Sequence, residues 1–230
     1  MPDAIPAAIP PCVSSGRFAD ALTRLWPHGN SRVPGLIPGL IAASPITFPK
    51  WGISSDLVVA HAFAQFSEEC NAGQEMAENM NYSAPRLLQV FPSHFTPQQA
   101  IALQHQPRLI ADQAYNGRMG NRPGTDDGWD KRGQGLSQLT GYANFAALAK
   151  LTGLDLINHP EMVCQPAHAL ECALADFVMC GCLPYAEKDM LVGVSSMLNV
   201  GHYVADPHRI NGFGLRQHWM VLWKHALGIT

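Results

Sequence analysis

Charge is scarce in this sequence. Only 14% of its 230 residues are charged, and the formal balance is −3. So small a balance, negative in sign, excludes a broad basic footprint for nucleic acid, leaving room only for a local patch. With 47% hydrophobic residues the chain is not a disordered one either. Long apolar runs are also missing: the longest, residues 36–43, is broken by Pro38 and Gly39 and falls far short of a membrane span. The N-terminus lacks the marks of a signal peptide. Met1-Pro-Asp3 offers no positive charge, and prolines at 2, 6, 10 and 11 interrupt any apolar stretch. A soluble chain made in the cytoplasm without an export signal is therefore expected. The six cysteines, at 12, 70, 164, 172, 180 and 182, include no C-x-x-C pair. Cys180-x-Cys182 is too tight for a zinc knuckle, and His202, His208 and His218 do not complete one. Buried free thiols in a reducing compartment are expected, with no metal and no cofactor.

Alternating strand patterns and internal repeats are nearly absent, so the length predicts one mainly α domain with at most a small β hairpin. The sequence is organised around a glycine-rich stretch. It runs from Asn116-Gly-Arg-Met-Gly-Asn121 through Asp127-Gly-Trp129 to Arg132-Gly-Gln-Gly-Leu-Ser-Gln-Leu-Thr-Gly141. Glycine allows backbone to approach a ligand closely, and Asn116, Arg118, Asn121, Ser137, Gln138 and Thr140 supply hydrogen-bonding side chains. Such a stretch reads as a cleft wall. Trp129 and Tyr82 suit either stacking on a sugar face or core packing. Arg118 suits either a carboxylate of a ligand or a bridge to Asp126 or Asp127.

Helical spacing places Phe18, Leu22, Leu25 and Trp26 on one helix that stops at Pro27. From His28 to Lys50, four prolines and three glycines predict a loop with one short helical turn near 36–43. Residues 1–45 are thus expected to be a Pro-rich lead-in packed on or flanking a catalytic domain at 46–230. Ser54 or Ser55 can cap the next helix, which carries Val59, Phe63, Phe66 and Cys70 on one face and stops at Asn71-Ala-Gly73. Short helices are expected after Ser83 and Thr96 and over 108–115. After the wall, helices are expected over 142–151, 166–182, 187–198 and 215–227, with a turn at Asn199-Val-Gly201.

Glu69 closes the helix that begins near Ser55, and Glu78 lies nine residues on. On one unbroken helix they would stand about 13.5 Å apart along the axis. Inverting glycosidases hold two carboxyls roughly 6.5–9.5 Å apart to seat a water between them. The break at 71–73 therefore matters, because it lets the chain double back. A carboxyl at a helix C-terminus faces the negative end of the dipole, and Glu68 beside it adds a like charge. Both disfavour the ionised form, which suits Glu69 to general acid. Glu78, followed by Asn79 and Asn81, sits in more polar sequence and suits general base. Spacing alone fits two solvated surface acids equally well.

Four ordered motifs sharpen this choice. Phe63-Ala-Gln65 through Glu69, Glu78-Asn-Met-Asn-Tyr-Ser83, Tyr115-Asn-Gly-Arg-Met-Gly-Asn121, and Asp127-Gly-Trp129 with 132–141 together resemble family 19 glycoside hydrolases. That family contains chitinases and the compact endolysins of phages and bacteria, and the similarity spans about residues 45–228. The resemblance implies a lysozyme-like, two-lobed helical fold with a central cleft and inversion at the anomeric carbon without a metal. It places the acid on Glu69, the base on Glu78, and a water-holding hydroxyl on Thr140. Gln138 and Asn144 fall on sugar-contacting positions, and Asn199 near a late turn that faces the sugar.

Three positions depart from the family pattern. Glu68 stands where a histidine is usual, Gln134 where a second arginine is usual, and Asn199-Val-Gly201 replaces Asn-Gly-Gly. The substrate expected is peptidoglycan, since the short form with Glu-Asn-Met-Asn-Tyr-Ser resembles the phage and bacterial branch and no cysteine-rich chitin-binding segment is present. The alternatives are chitin oligomers as substrate, or a weakened glycan-binding or toxin protein on the same fold. A monomer released through a holin-like partner, acting on the cell wall after release, completes the expectation.

Overall fold

The structure, a computed structural model, describes residues 14–229; residues 1–13 of the expected lead-in, with Cys12, lie outside them. Twelve α-helices occur among the described residues: α1 Ser15–Leu25, α2 Leu36–Lys50, α3 Asp56–Glu69, α4 Ala84–Val90, α5 Pro97–Leu103, α6 Pro107–Tyr115, α7 Asp127–Asp130, α8 Tyr142–Thr152, α9 Ala169–Met179, α10 Leu183–Ala186, α11 Leu191–Val200 and α12 Phe213–Leu227. No strand is formed among these residues. The expected hairpin reduces to two isolated antiparallel bridges, Ala77 with Gln134 and Gln134 with Leu139. The mainly α expectation holds.

The helix α3 is the axis of the larger lobe. Ser55, not Ser54, caps it by accepting from the Val58 amide, and Asp56 adds an acid to its first turn. Residues 58–67 are all buried, on every face of the helix. A helix that is shielded all round must be enclosed by others. Phe63 packs edge-on against Phe18 and Phe66 and tilts against Trp26 and Trp223, so α1 and α12 close over it. Ser67 ties this cluster together, its hydroxyl accepting from the indole N–H of Trp26 and of Trp223, both at 2.9 Å. The same hydroxyl donates to the Phe63 carbonyl at 2.6 Å. Buried indoles need such partners, and here they fix the turn of α3 that leads into Glu68 and Glu69.

The loop expected over 28–50 is a finding of the opposite kind, since α2 runs through Pro45 and Pro49. A proline inside a helix strips a carbonyl one turn back of its N–H partner. The Ser44 hydroxyl donates to the carbonyl of Ile41, four residues before Pro45, at 2.9 Å and supplies the missing bond. Burial of Leu36, Leu40 and Phe48 in the main core does the rest.

A second, smaller core gathers Met80, Leu87, Phe95 and Ile110 from α4, α5, α6 and their connections, with Tyr82 and Trp129 packed against it. A third, under α8, holds Phe145, Leu148 and Val163 against α9. The glycine-rich wall connects these packing units, and the cleft opens along it.

Candidate active site

The chain reverses between the two glutamates in one compact turn. After Glu69 the helix is capped by Cys70, and Asn71, Ala72 and Gly73 follow with φ of 47°, 51° and 82°. Three consecutive left-handed residues turn the backbone back on itself. The Ala72 amide donates to the Ser67 carbonyl at 2.9 Å, and that of Glu75 to the Cys70 carbonyl at 2.9 Å. A larger residue at Gly73 would be strained, since its φ is 82° and a Cβ there would stand 3.0 Å from the Gly29 Cα.

The returning segment is then laid on the wall. The Gly135 amide donates to the Met76 carbonyl and the Glu78 amide to the Gly133 carbonyl, each at 2.8 Å. Gln134 exchanges two bonds with Leu139, at 3.1 and 2.8 Å. Gln138 reaches back with its side-chain amide to the Glu75 carbonyl at 2.9 Å. Glu78 is thereby held on backbone that does not depend on its own side chain.

Both carboxyls open on one cavity of about 630 Å³. Glu69 Oε1 accepts from Arg216 Nη2 at 2.6 Å. That guanidinium is buried on α12, where it also donates to Gln65 Oε1 at 2.7 Å and to the Asn211 carbonyl at 3.0 Å. The Tyr115 hydroxyl stands 2.9 Å from both oxygens of Glu78. Thr140, Gln138, Asn144 and Asn199 line the same space. A Cβ on Gly133 would stand 2.9 Å from Gln138 Oε1, 3.5 Å from Thr140 Oγ1 and 3.6 Å from the Glu78 Cβ. The glycine thus keeps open the gap between the Glu78 stem and the Thr140 hydroxyl.

No protein-family model matches the sequence. A "glycosyl hydrolase family 19 domain-containing protein" of Haemophilus influenzae is 35% identical over 136 residues, covering 58% of this chain and 67% of that protein. The chain belongs to glycoside hydrolase family 19. Chitinase C from Streptomyces griseus shares the fold, with a TM-score of 0.57 at 18% identity over all of this chain and 80% of that one. The lysozyme-like helical architecture expected from the motifs is therefore present, and the protein is a glycosidase.

Within this family 19 chain, not every residue singled out in the sequence lies at the cavity. Asn121 is buried and structural: its amide donates to the Tyr115 carbonyl at 3.1 Å and its oxygen accepts from the Tyr142 amide at 2.7 Å. Arg118 bridges neither Asp126 nor Asp127; it pairs with His94 at 2.6 Å and the Ala114 carbonyl at 3.3 Å. Arg122 takes Asp127 instead, and Arg108 takes Asp126. Trp129 lies beneath Arg132, whose guanidinium carbon is 3.7 Å from its ring centroid, and Tyr82 packs edge-on against Phe91. None of these four lines the cavity. Asn199 does, but from the last turn of α11 rather than from a loop, with Gly201 as the cap.

The two departures at 68 and 134 fall outside the cavity lining too. Gln134 is buried and donates to the Asp130 carbonyl at 2.6 Å, so the residue braces the wall from behind. Glu68 turns against Gly212, where any Cβ would collide with it. Burial pushes the Glu68 carboxyl up, Arg216 opposes, and Glu69 adds to the rise. The like-charge setting expected for Glu69 is met in the structure by the Arg216 guanidinium.

Tyr115, Asp176, Arg216 and Asn211 were not identified from the sequence. Asp176 carried a signal, being an acid set inside the otherwise apolar run 172–179; Arg216 carried none, since its helix also holds His218, Lys224 and His225. Burial raises the Glu78 carboxyl, while the Tyr115 hydroxyl, the Gly133 backbone and Arg132 pull it back down. The Tyr115 phenol is pushed up by its own burial and by Glu78, so it stays a donor. Asp176 is raised to about 6, first by burial and further by Glu69, against hydrogen bonds from Ser137 and Cys180.

Proposed function

We propose that the protein is an inverting glycosidase that cleaves β-1,4 bonds of N-acetylated glycans, with peptidoglycan as substrate. Glu69 serves as general acid and Glu78 as general base. The observation that carries this reading is one cavity lined by both carboxyls, each held by a different partner from a different helix. Arg216 engages only Oε1 of Glu69, which leaves Oε2 to carry the proton given to the leaving oxygen. Glu78 takes a proton from the attacking water. Its desolvation makes it a stronger base, and the Tyr115 donor keeps the carboxylate oriented. Thr140 donates to the Gln138 carbonyl at 2.8 Å, which leaves its oxygen able to accept from that water across the gap kept by Gly133. Gln138, Asn144 and Asn199 supply amide groups suited to acetamido and hydroxyl groups of the sugar.

The choice of peptidoglycan rests on sequence likeness to the phage and bacterial branch. Chitin is the second reading, favoured by a structural neighbour named a chitinase. Residues 1–45 are proposed as an N-terminal layer flanking a catalytic domain at 46–230; the described part of that layer includes α1, whose Phe18 and Leu22 enter the α3 core. A monomer released through a holin-like partner fits this use. Among the described residues no helix is long and apolar enough to cross a membrane.

The test is clearing of permeabilised Gram-negative cells by wild type, Glu69→Gln and Glu78→Gln, with mass spectrometry of products from purified peptidoglycan and from chitin oligomers. Each variant is expected to lose orders of magnitude in turnover while melting near the wild-type temperature. Retained turnover in either variant removes that residue from its role. Nuclear magnetic resonance of fresh product should show the α-anomer first; the β-anomer would refute inversion.

A further inference from the structure

Asp176 projects from α9 into the cavity that holds Glu69 and Glu78, yet is only 5% exposed. A carboxyl so far from water is costly unless a cation or several donors meet it. The buried guanidinium of Arg216 and the half-buried one of Arg132 are committed elsewhere. Arg216 is spent on Gln65, Glu69 and the Asn211 carbonyl, and Arg132 on the carbonyls of Glu78 and Trp129. What Asp176 does have is neutral: the Cys180 thiol at 3.6 Å from Oδ1, and the hydroxyl of Ser137 on the wall. The titratable groups around it are Glu69 at the end of α3, Cys172 on its own helix, and Cys180 and Cys182 just beyond. Glu69 makes matters worse by adding a like charge. Among the described residues, the cavity is lined by three acids and by no lysine, arginine or histidine.

We propose that Asp176 is a specificity-determining residue that accepts a hydrogen bond from a neutral N–H or O–H donor of an N-acetylglucosamine unit, a role that rests on the glycosidase reading of this cavity. The arrangement explains why an acid is tolerated with no cation beside it, because the bound sugar completes its donor set. It also selects by charge. A sugar bearing a lactyl carboxylate would meet a like charge in a poorly hydrated space, so the unit seated over Asp176 is the uncharged one.

The experiment measures KM and kcat at pH 7 for wild type, Asp176→Asn and Asp176→Ala. The substrates are the hexamer of N-acetylglucosamine and soluble peptidoglycan strands, using whichever the wild type turns over. Asp176→Asn keeps the size and one acceptor oxygen but loses the charge. KM is expected to rise at least tenfold with kcat within threefold of wild type, and more steeply in Asp176→Ala. A KM within twofold of wild type in either folded variant overturns the proposal, as does a fall in kcat alone. A purely structural acid would leave KM in place, whichever way the melting temperature moves. A wild type inert on both glycans would sink the glycosidase reading itself, and the role of Asp176 with it.

Discussion

Asp176 makes the structure testable through stability as well as turnover. Its carboxyl lies at about 6 when folded, against an ordinary value of 3.8. A raised carboxyl binds its proton more tightly in the folded chain than in the unfolded one. Stability from this group is therefore greatest below the unfolded value, falls between about 3.8 and 6, and is level above. Two units at about 1.4 kcal/mol each make the ionised group cost about 3 kcal/mol at neutral pH. That is a large share of the roughly 5–15 kcal/mol that holds a domain folded. Asp176→Asn removes the titration while keeping shape and one acceptor. Its new amide hydrogens lose something if Ser137 cannot turn to accept them, about 1–3 kcal/mol, but that loss is the same at every pH. The diagnostic is thus the change with pH in the difference between variant and wild type. Urea unfolding at pH 3.5 and 7.5 should show the variant gaining about 3 kcal/mol relative to wild type between the two. A difference that stays constant within about 0.5 kcal/mol would refute the reasoning, since it would mean that Asp176 titrates alike in both states.

Three further outcomes follow from individual contacts. Tyr115→Phe removes the hydroxyl that stands 2.9 Å from both Glu78 oxygens, and a hydrogen bond to a charged group is worth about 1.5–3 kcal/mol. The carboxyl of Glu78 should rise further, so the acidic limb of the kcat/KM profile should move to higher pH, with at least about a tenfold loss on that limb; an unmoved limb would remove Tyr115 from this role. Asp127, held at about 2 by Arg122, should contribute stability above its unfolded value and lose it as pH falls toward 2. Asp127→Asn should cost about 1–2 kcal/mol at pH 7, discounted for solvent around the exposed Arg122, and little at pH 2 in the same urea assay. Gly133→Ala should displace the Gln138 side chain and lower kcat, while shifting the melting temperature by only a few degrees; unchanged kcat would show that the gap beside Thr140 is not where water sits.

Much of this site was legible before any coordinates, for reasons that differ by residue. Glu69 and Glu78 could be paired because the break at 71–73 is written in local chemistry, with an asparagine and a glycine in three successive left-handed positions. The wall was legible because glycine density marks backbone that must approach something. Arg118, Asn121 and Trp129 belong to it by sequence adjacency, and Tyr82 to the segment of Glu78, but adjacency does not tell which face of a turn a side chain takes. Packing decided that. Asn121 is consumed in bonding Tyr115 to Tyr142 backbone, and Trp129 is covered by Arg132. The helix α2 escaped because proline was read as a breaker, and only tertiary burial with the Ser44 hydroxyl makes it a helix.

The electrostatics of the cleft could not be read locally at all. Helix dipole and Glu68 both point to an uncompensated negative corner around Glu69, and each argument is sound for a helix end in isolation. The compensating charge comes from Arg216, which is 147 residues further along the chain. It reaches Glu69 because α12 packs along α3, and that packing is set by Trp223 meeting Phe63 and Ser67. One guanidinium is thus shared between holding the fold and holding Glu69. It leaves Glu78 to Tyr115 and Asp176 to neutral donors, so three carboxyls around one cavity are met by three different kinds of partner. Such a division keeps the three groups from behaving alike, as the proposed roles of acid, base and ligand acceptor require. The burial that raises the Asp176 carboxyl makes its ionised form costly to the fold, and its two neutral donors offset that only in part, which is the deficit a bound sugar donor would fill under the proposal.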